Sequence, residues 1–410
     1  MKALLSATIL SIILIVNPVQ IFSQEKTSPY KLAVSGYVRA DAIFDSRQVV
    51  EAREGFLLFY PKRPVFDKIG KDINAQPSFN QYAMISRVTL KATGPDVLGA
   101  KVQGLIEADF TGASNSENNS LRLRHAYISL QWTKTRLLAG QYWHPMDVPE
   151  MIPNVLALNT GAPFRSFSRQ PQVRLDRTAG NFNFVVAATA QRDYVNAGPE
   201  GSTSIYLRNS AIPNFVAQIH YKNKNWFAGI ATDYKQLTPR LSTDSLYVAN
   251  EKLNGSSFSG FISFKTPDFS IKAQYIYGKA LNDHLMMSGF GVSGINPVSG
   301  QRDYTPLVIH SWWLNASKTY GNWQPSVFLG LTTNNGATEE IQGPMYARGE
   351  DIAYVYRVAP MLTYAIDRFS LMAEVEYSVA AYGVPDTKYK IQQAKEIANI
   401  RVGLAVMYTF

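Results

Sequence analysis

Basic residues recur on alternating positions along much of the chain: Arg39, Arg87, Lys91, Lys101, Arg122, Arg124, Arg174, Lys272, Arg357 and Arg401. Acids share their phase at Asp41, Asp45, Glu107, Asp109, Glu374 and Glu376. The residues between them are largely apolar, as Ala40, Ala42 and Phe44 are around Arg39, Asp41 and Asp45. A period of two puts charge on one face of a strand and apolar side chains on the other. A wall of fixed guanidinium groups raises the local concentration of anions and lowers that of cations. The chemistry in view is electrostatic selection of small ions, not bond making. The same arginines can instead pair with the acids and tie the wall together, and spacing leaves both open. The excess of basic over acidic positions leans toward anions.

A second group of polar residues lies in one long connection, Trp143 to Gln170. It holds the run Trp143-His144-Pro145-Met146-Asp147 and then Asn159-Thr160-Gly161-Ala162-Pro163-Phe164-Arg165-Ser166-Phe167-Ser168-Arg169. A connection this long can fold back into the space that the strands enclose. Here Asp147 and Glu150 would bring negative charge to such a constriction, and Arg165 and Arg169 positive charge. The other reading leaves this connection on the rim as an ordinary outer loop.

Enzymatic constellations are absent from the residue pattern. The histidines, His125, His144, His220, His284 and His310, are scattered, with no HExxH or other ligand spacing. His310 and Ser311 are neighbours, which a strand points to opposite faces. The chain has no cysteine, so it has no disulfide and no thiolate metal site. No metal, cofactor or catalytic residue is expected. Trp143, Trp226, Trp312, Trp313 and Trp323 read as interfacial anchors of a membrane girdle.

The elements that carry these residues are strands. The clearest is the last run, Glu396 to Phe410. Ala398, Ile400, Val402, Leu404, Val406, Tyr408 and Phe410 form one apolar face, and Asn399, Arg401 and Gly403 sit on the other. A wholly apolar face opposite a polar, small-residue face suits lipid on one side and a wet lumen on the other. The run Lys31 to Ser46 and the run Lys101 to Phe110 repeat the pattern. Counted along the chain, period-two runs number sixteen, with short turns alternating with long connections. That predicts an all-β fold: a 16-stranded antiparallel transmembrane β-barrel with short periplasmic turns and long extracellular loops. Sixteen strands leave an aqueous channel, whereas eight are filled by their own side chains. The last strand must pair with the first to remove both edges, which puts Arg401 next to Arg39 and Asp41.

Composition agrees. Charged residues are 17%, below the usual quarter of a soluble protein, and there are 23 tyrosines. The chain opens with Lys2 and an apolar run from Leu4 to Val16, the pattern of a secretory signal peptide, residues 1–24, removed to leave a single barrel domain over 25–410. No other stretch approaches the ~20 apolar residues of a spanning helix. The net charge is +9, but its basic residues are dispersed, which speaks against nucleic acid.

Gly36 to Gln48 (GYVRADAIFDSRQ), Arg122 to Leu130 (RLRHAYISL) and Ala139 to Asp147 (AGQYWHPMD) resemble the Bacteroidetes and DcaP-like porins, distant relatives of the phosphate-selective porins. The resemblance implies a homotrimeric outer-membrane channel for small anionic or dicarboxylate-type solutes. Unlike some DcaP-like members, the chain leaves no room for a helical extension between the expected cleavage site and the first strand. The expected partners are outer-membrane lipid, lipopolysaccharide and the barrel assembly machinery, for which Tyr408 and Phe410 supply the terminal aromatic signal. The alternative is a non-conducting outer-membrane barrel with an adhesive or structural surface role. Deleting Phe410 is expected to lower the amount of barrel in the outer membrane more than its conductance. Normal membrane levels of the deletion would argue against an assembly role for this residue.

Overall fold

A computed structural model describes residues 28–157 and 161–410. The expected signal peptide, and Asn159 and Thr160 of the long connection, lie outside the described residues. The sixteen barrel strands are β1 (Lys31–Asp45), β2 (in two pieces, Ser78–Tyr82 and Arg87–Thr93), β3 (Lys101–Asp109), β4 (Arg122–Gln131), β5 (Thr135–Trp143), β6 (Arg169–Ala179), β7 (Phe182–Thr189) and β8 (Asn214–Lys222). They continue as β9 (Trp226–Leu237), β10 (Leu253–Lys265), β11 (Phe269–Lys279), β12 (Arg302–Lys318), β13 (Trp323–Ala337), β14 (Ile352–Ile366), β15 (Phe369–Pro385) and β16 (Ile391–Thr409). Each pairs antiparallel with the next, and β16 returns to pair with β1, from Tyr37 opposite Thr409 to Asp45 opposite Arg401. No helix of the described residues is long and apolar enough to cross a membrane, and the longest is Ile205–Asn209.

The side-chain alternation gives the closed sheet two different faces. Along β16, Leu404 is 54% exposed while Asn399 and Arg401 are 1% and 3% exposed. β1 alternates the same way, with Val38 and Phe44 outside and Arg39, Asp41 and Asp45 inside. The outer surface is therefore apolar, and the charged residues of both strands turn inward. A lipid-facing Arg or Lys near the midplane would cost ~2–4 kcal/mol, which fixes this phase.

Short and long connections alternate at opposite ends of the barrel. The short ones include 132–134, 180–181, 223–225 and 266–268; the long ones include 46–77, 144–168, 190–213 and 280–301. The long connections carry structure of their own. Val49–Ala52 and Leu57–Pro61 form a hairpin within 46–77, and Gly289–Ile295 extends the sheet beyond β12.

Four features depart from what the sequence predicts. First, β2 breaks at residues 83–86, where the sequence predicts one unbroken strand from Gln81 to Thr93. The Ser86 hydroxyl bridges the break by accepting the Arg39 N–H at 3.0 Å. Second, Glu107 pairs with His125 and Ala108 with Leu123, leaving Arg124 as the extra residue of a β-bulge. The bulge lets Arg124 and His125, neighbours in sequence, both turn inward and be buried.

Third, two of the five expected girdle tryptophans are not girdle residues. Trp226, Trp312 and Trp323 are exposed on the outer face, but Trp143 and Trp313 are buried inside the barrel. Trp312 and Trp313 are adjacent, so only one of them can face out. Fourth, Arg401 lies opposite Asp45, not beside Arg39 and Asp41 as expected, because the register sets Asp41 against Ala405.

The seam is tight at its end. Gly36 and Phe410 exchange backbone hydrogen bonds at 3.2 and 3.0 Å. A Cβ on Gly36 would lie 2.1 Å from the Arg87 carbonyl oxygen and 3.0 Å from the Phe410 ring. Gly36→Val is therefore expected to reduce severalfold the share of refolded chain that runs as a compact, heat-modifiable band. An unchanged yield would show that the seam tolerates a side chain there.

Candidate functional site

The inward wall is built from charge pairs. Arg39 and Asp41, two apart on β1 and so on one face, pair at 2.5 Å; Arg174 and Asp176 of β6 repeat the arrangement at 2.7 Å. Arg122 reaches Asp109 at 3.0 Å across to β3, and Arg124 bonds both Glu107 at 2.7 Å and Asp109 at 2.9 Å. Arg357 meets Glu376 at 3.1 Å, and Arg401 meets Asp45 at 2.7 Å across the closing seam. Of the expected wall residues, Arg87 stays partly open, 3.6 Å from Glu107 and over the Tyr37 ring. Lys101 is exposed at the end of β3. In a weakly polarisable interior a lone buried charge is costly, so arginines take carboxylate partners and their remaining N–H groups seek carbonyls.

Those carbonyls come from two connections inside the barrel. Arg401 donates to the oxygens of Gly55 at 2.6 Å and Phe56 at 3.1 Å, and Arg357 donates to those of Leu58 at 3.0 Å and Phe59 at 3.3 Å, all in the connection 46–77. The segment 144–168 is held in the same way. Arg39 donates to the Leu156 oxygen at 2.8 Å, and Arg357 to the Ala162 oxygen at 3.2 Å. Lys272 donates to the Ile152 oxygen at 2.7 Å, and Ser311 to the Phe164 oxygen at 2.7 Å. The Leu156 N–H donates to Glu374 at 3.0 Å, and the Asn154 N–H to Asn315 at 2.9 Å. Every one of these partners stands on the inward face of its strand. The segment thus leaves β5 and touches the inner wall at β1, β11, β12, β14 and β15.

Apolar contacts complete the hold. One buried cluster joins Met146, Val148, Met151, Phe164 and Phe167 of the segment to Val216, Phe227, Ala231, Phe261, Trp313 and Phe328 of the wall. Gly330 makes room for Phe164, since a Cβ there would lie 2.5 Å from the ring. Full burial of a Phe side chain contributes about 1.5–3 kcal/mol.

The charged residues of the segment are placed otherwise than free lumen charges would be. Asp147 and Arg165 are fully buried and pair with each other; Asp147 also accepts the Ser168 N–H at 3.1 Å. Arg169 pairs with Asp193 at 2.8 Å and lies over the ring of Trp143. Only Glu150 is open to water, with Lys222 4.0 Å away. It borders a recess of about 180 Å³ whose wall also includes Arg136, Tyr142, Arg174 and His220. The first three charges thus brace the segment, because a buried charge stays ionised only beside a partner.

Sequence reasoning passed over several residues. Asp176 was visible as the partner two places after Arg174. Arg136 and Asn315 share the inward phase. His125 turns inward only through the bulge. His144, Asp233 and His284 come together from separate parts of the chain, each offering a ligating atom within 4.8 Å of the others. Burial pushes the imidazoles of His144 and His284, both in connections, down to about 3.

The asymmetry between breaking and replacing a buried pair gives a test. Arg401→Ala leaves Asp45 buried without its cation and is expected to cost about 3–5 kcal/mol. The double change Asp45→Asn, Arg401→Met removes both charges and is expected to cost much less. Denaturant unfolding in micelles, followed by tryptophan fluorescence, measures both. Equal losses would mean that this pair does not carry the seam.

Among curated proteins, no match was found. Solved structures share the fold. The outer membrane channel DcaP of Acinetobacter baumannii matches with a TM-score of 0.70 at 19% identity, over 94% of this chain and 98% of that one. OmpT of Vibrio cholerae, solved in a trimer form, and an anion-selective porin from Comamonas acidovorans each give 0.56 at 10% identity, over 93% of this chain and 100% of theirs. The family model of the DcaP outer membrane protein matches residues 30–238. That match spans about half of the chain and joins the closed sixteen-stranded barrel in one conclusion: this chain belongs to the DcaP outer membrane protein family and has the fold of the outer-membrane porins.

Proposed function

We propose that this protein is a porin that passes small hydrophilic, anionic solutes by passive diffusion through a lumen narrowed by the segment 144–168. The observation that carries the anion preference is what remains after the wall charges pair. Arg136 stacks against Tyr127 and Tyr142, and Lys272 bonds only the Ile152 carbonyl. Neither has a carboxylate within ion-pair distance among the described residues; of the inward acids, Glu374 and Asp233 likewise have no Arg or Lys at that distance, and both are buried. Unpaired inward cations set the local field, while a neutralised pair contributes little beyond its own length. The Comamonas porin of the same fold is described as anion-selective, which agrees with this reading. Asp147, Arg165 and Arg169 act in it as braces of the constriction, and Glu150 as its one open charge.

The short connections face the periplasm and the long ones the exterior. The chain assembles as a homotrimer, as the Vibrio OmpT solved in trimer form does. Ala40, Ala42, Ala83, Leu362, Leu371, Leu404 and Val406 line a concavity of about 1020 Å³ on the outer face, with polar Gln81 among them. A neighbouring barrel suits Gln81 better than acyl chains do. The rest of the outer face meets lipid and lipopolysaccharide. Tyr408 and Phe410, both exposed, remain available to the assembly machinery. The signal peptide directs export, and no catalytic role is assigned.

One observation favours the second reading, a non-conducting barrel with a surface role. The buried cluster around Phe164 and Phe167 fills part of the interior with apolar side chains. Planar bilayers separate the two. Pure refolded protein is expected to give stable conductance steps, and their absence would favour the non-conducting barrel. In a KCl gradient the reversal potential is expected to show anion preference; cation preference would refute it. Gly330→Val displaces Phe164 and is expected to raise single-channel conductance. An unchanged conductance, with the barrel folded, would place the segment outside the conducting path.

A further inference from the structure

His144 opens the lumen segment, and His284 lies in the connection 280–301, yet their rings meet edge to face with centroids 4.7 Å apart. Asp233 of β9 joins them, and all three side chains are buried. Two features of this cluster are unexplained by the fold alone.

The first is the Asp233 carboxylate. It is 2% exposed and accepts hydrogen bonds from the Ser257 hydroxyl and from Asn214 Nδ2 at 3.2 Å, both neutral donors. The nearby Lys235 ammonium is committed to Asp283, 2.5 Å away. Asp233 is thus a buried carboxylate with no cation of its own, an arrangement proteins avoid.

The second is the His284 ring. Its Nδ1 bonds the Ser166 hydroxyl at 2.7 Å, while its buried Nε2 has no hydrogen-bond partner. That Nε2 faces Asp233 Oδ2 at 3.9 Å and Asp283 Oδ2 at 3.8 Å. With the ring proton on Nδ1, the Nε2 lone pair points at two carboxylates and a cation between them makes the contact attractive, whereas a proton on Nε2 would face both oxygens beyond hydrogen-bond distance. Ser166 then serves as the outer partner that fixes the tautomer of a metal-bound histidine.

At His144, Asn214 Nδ2 lies 3.1 Å from Nε2 and the Met146 N–H 3.3 Å from Nδ1. A neutral imidazole accepts at only one nitrogen, so one of these contacts must yield. Coordination through Nε2 puts the proton on Nδ1 and gives up the long contact to Met146. The buried Asn214 Oδ1 is also without a partner. Turning the amide over offers that oxygen to the same centre.

The geometry points to a divalent transition-metal site of the zinc class at His144, Asp233 and His284, pinning the start of the lumen segment to β9 and to the connection 280–301. Two imidazoles and one carboxylate form a donor set for zinc and its neighbours, whereas calcium and magnesium take oxygen ligands. Three protein ligands leave a fourth position for Asn214 Oδ1 or a water. Bonds of ~2.0–2.2 Å to one ion require the three side chains to close from their present spacing. The ion would neutralise Asp233 and occupy the His284 lone pair. The site stands independently of the solute preference proposed above.

The test uses the full chain, refolded in micelles, stripped with a chelator, equilibrated with Zn²⁺ and desalted. Metal analysis is expected to find one zinc per folded chain. Asp233→Asn and His284→Gln are each expected to weaken retention by roughly tenfold or more while the β-sheet circular dichroism is kept. Co²⁺ in place of Zn²⁺ is expected to give the visible bands of a four-coordinate nitrogen and oxygen site, bleached by added Zn²⁺. Folded wild-type chain that retains no zinc, or variants that retain as much as wild type, would overturn the site. Should a variant fail to fold, the wild-type Co²⁺ spectrum decides: no such bands in the folded chain overturns the site by itself.

Discussion

Everything in this barrel depends on the ladder between its first and last strands. In hydrocarbon no water is available to satisfy an open strand edge, and each unpaired backbone group costs several kcal/mol. The pairing of β1 with β16 removes both edges at once, from Tyr37 opposite Thr409 to Asp45 opposite Arg401. Once the sheet is closed, every strand has an outside and an inside. The apolar phase can only meet lipid, and the polar phase can only meet the lumen.

That division forces the electrostatics. Charge excluded from lipid collects on the inner wall, and where the two connections cover that wall it must pair. The pairs Arg39–Asp41, Arg357–Glu376 and Arg401–Asp45 do more than neutralise one another. A guanidinium has more N–H groups than one carboxylate can use. The surplus reaches the carbonyls of Gly55, Phe56, Leu156 and Ala162, and so fastens two connections to the inside of the wall. The same residues close the seam, balance the charge and position the segment in the lumen. The inside of the barrel takes its shape from the charges that pair, and few inward cations among the described residues are left without a carboxylate.

Much of the architecture was legible in the residues. A period of two holds wherever lipid covers one face, because a slip of one residue would reverse every side chain. The faces of β16 and β1, the inward placement of Arg122, Arg124, Arg174, Glu374 and Glu376, and the strand number follow from it. The R-x-D spacing put Arg39 and Asp41 on one face, and the structure pairs them. Local rules failed where one residue breaks the period. The bulge at Arg124 turns His125 inward, and adjacent Trp312 and Trp313 cannot both anchor in the interface.

By itself, the sequence determined the class of fold, its orientation toward lipid and most of the residues that face inward, since these depend on alternation along one strand at a time. Only the tertiary structure decided which charges neutralise which. The register put Arg401 against Asp45, and the path of the segment buried Asp147 with Arg165 instead of offering them to the lumen. It also brought His144 and His284 to Asp233 across the interior. Contacts between distant strands and connections depend on how the whole ladder closes, and no local pattern encodes that closure.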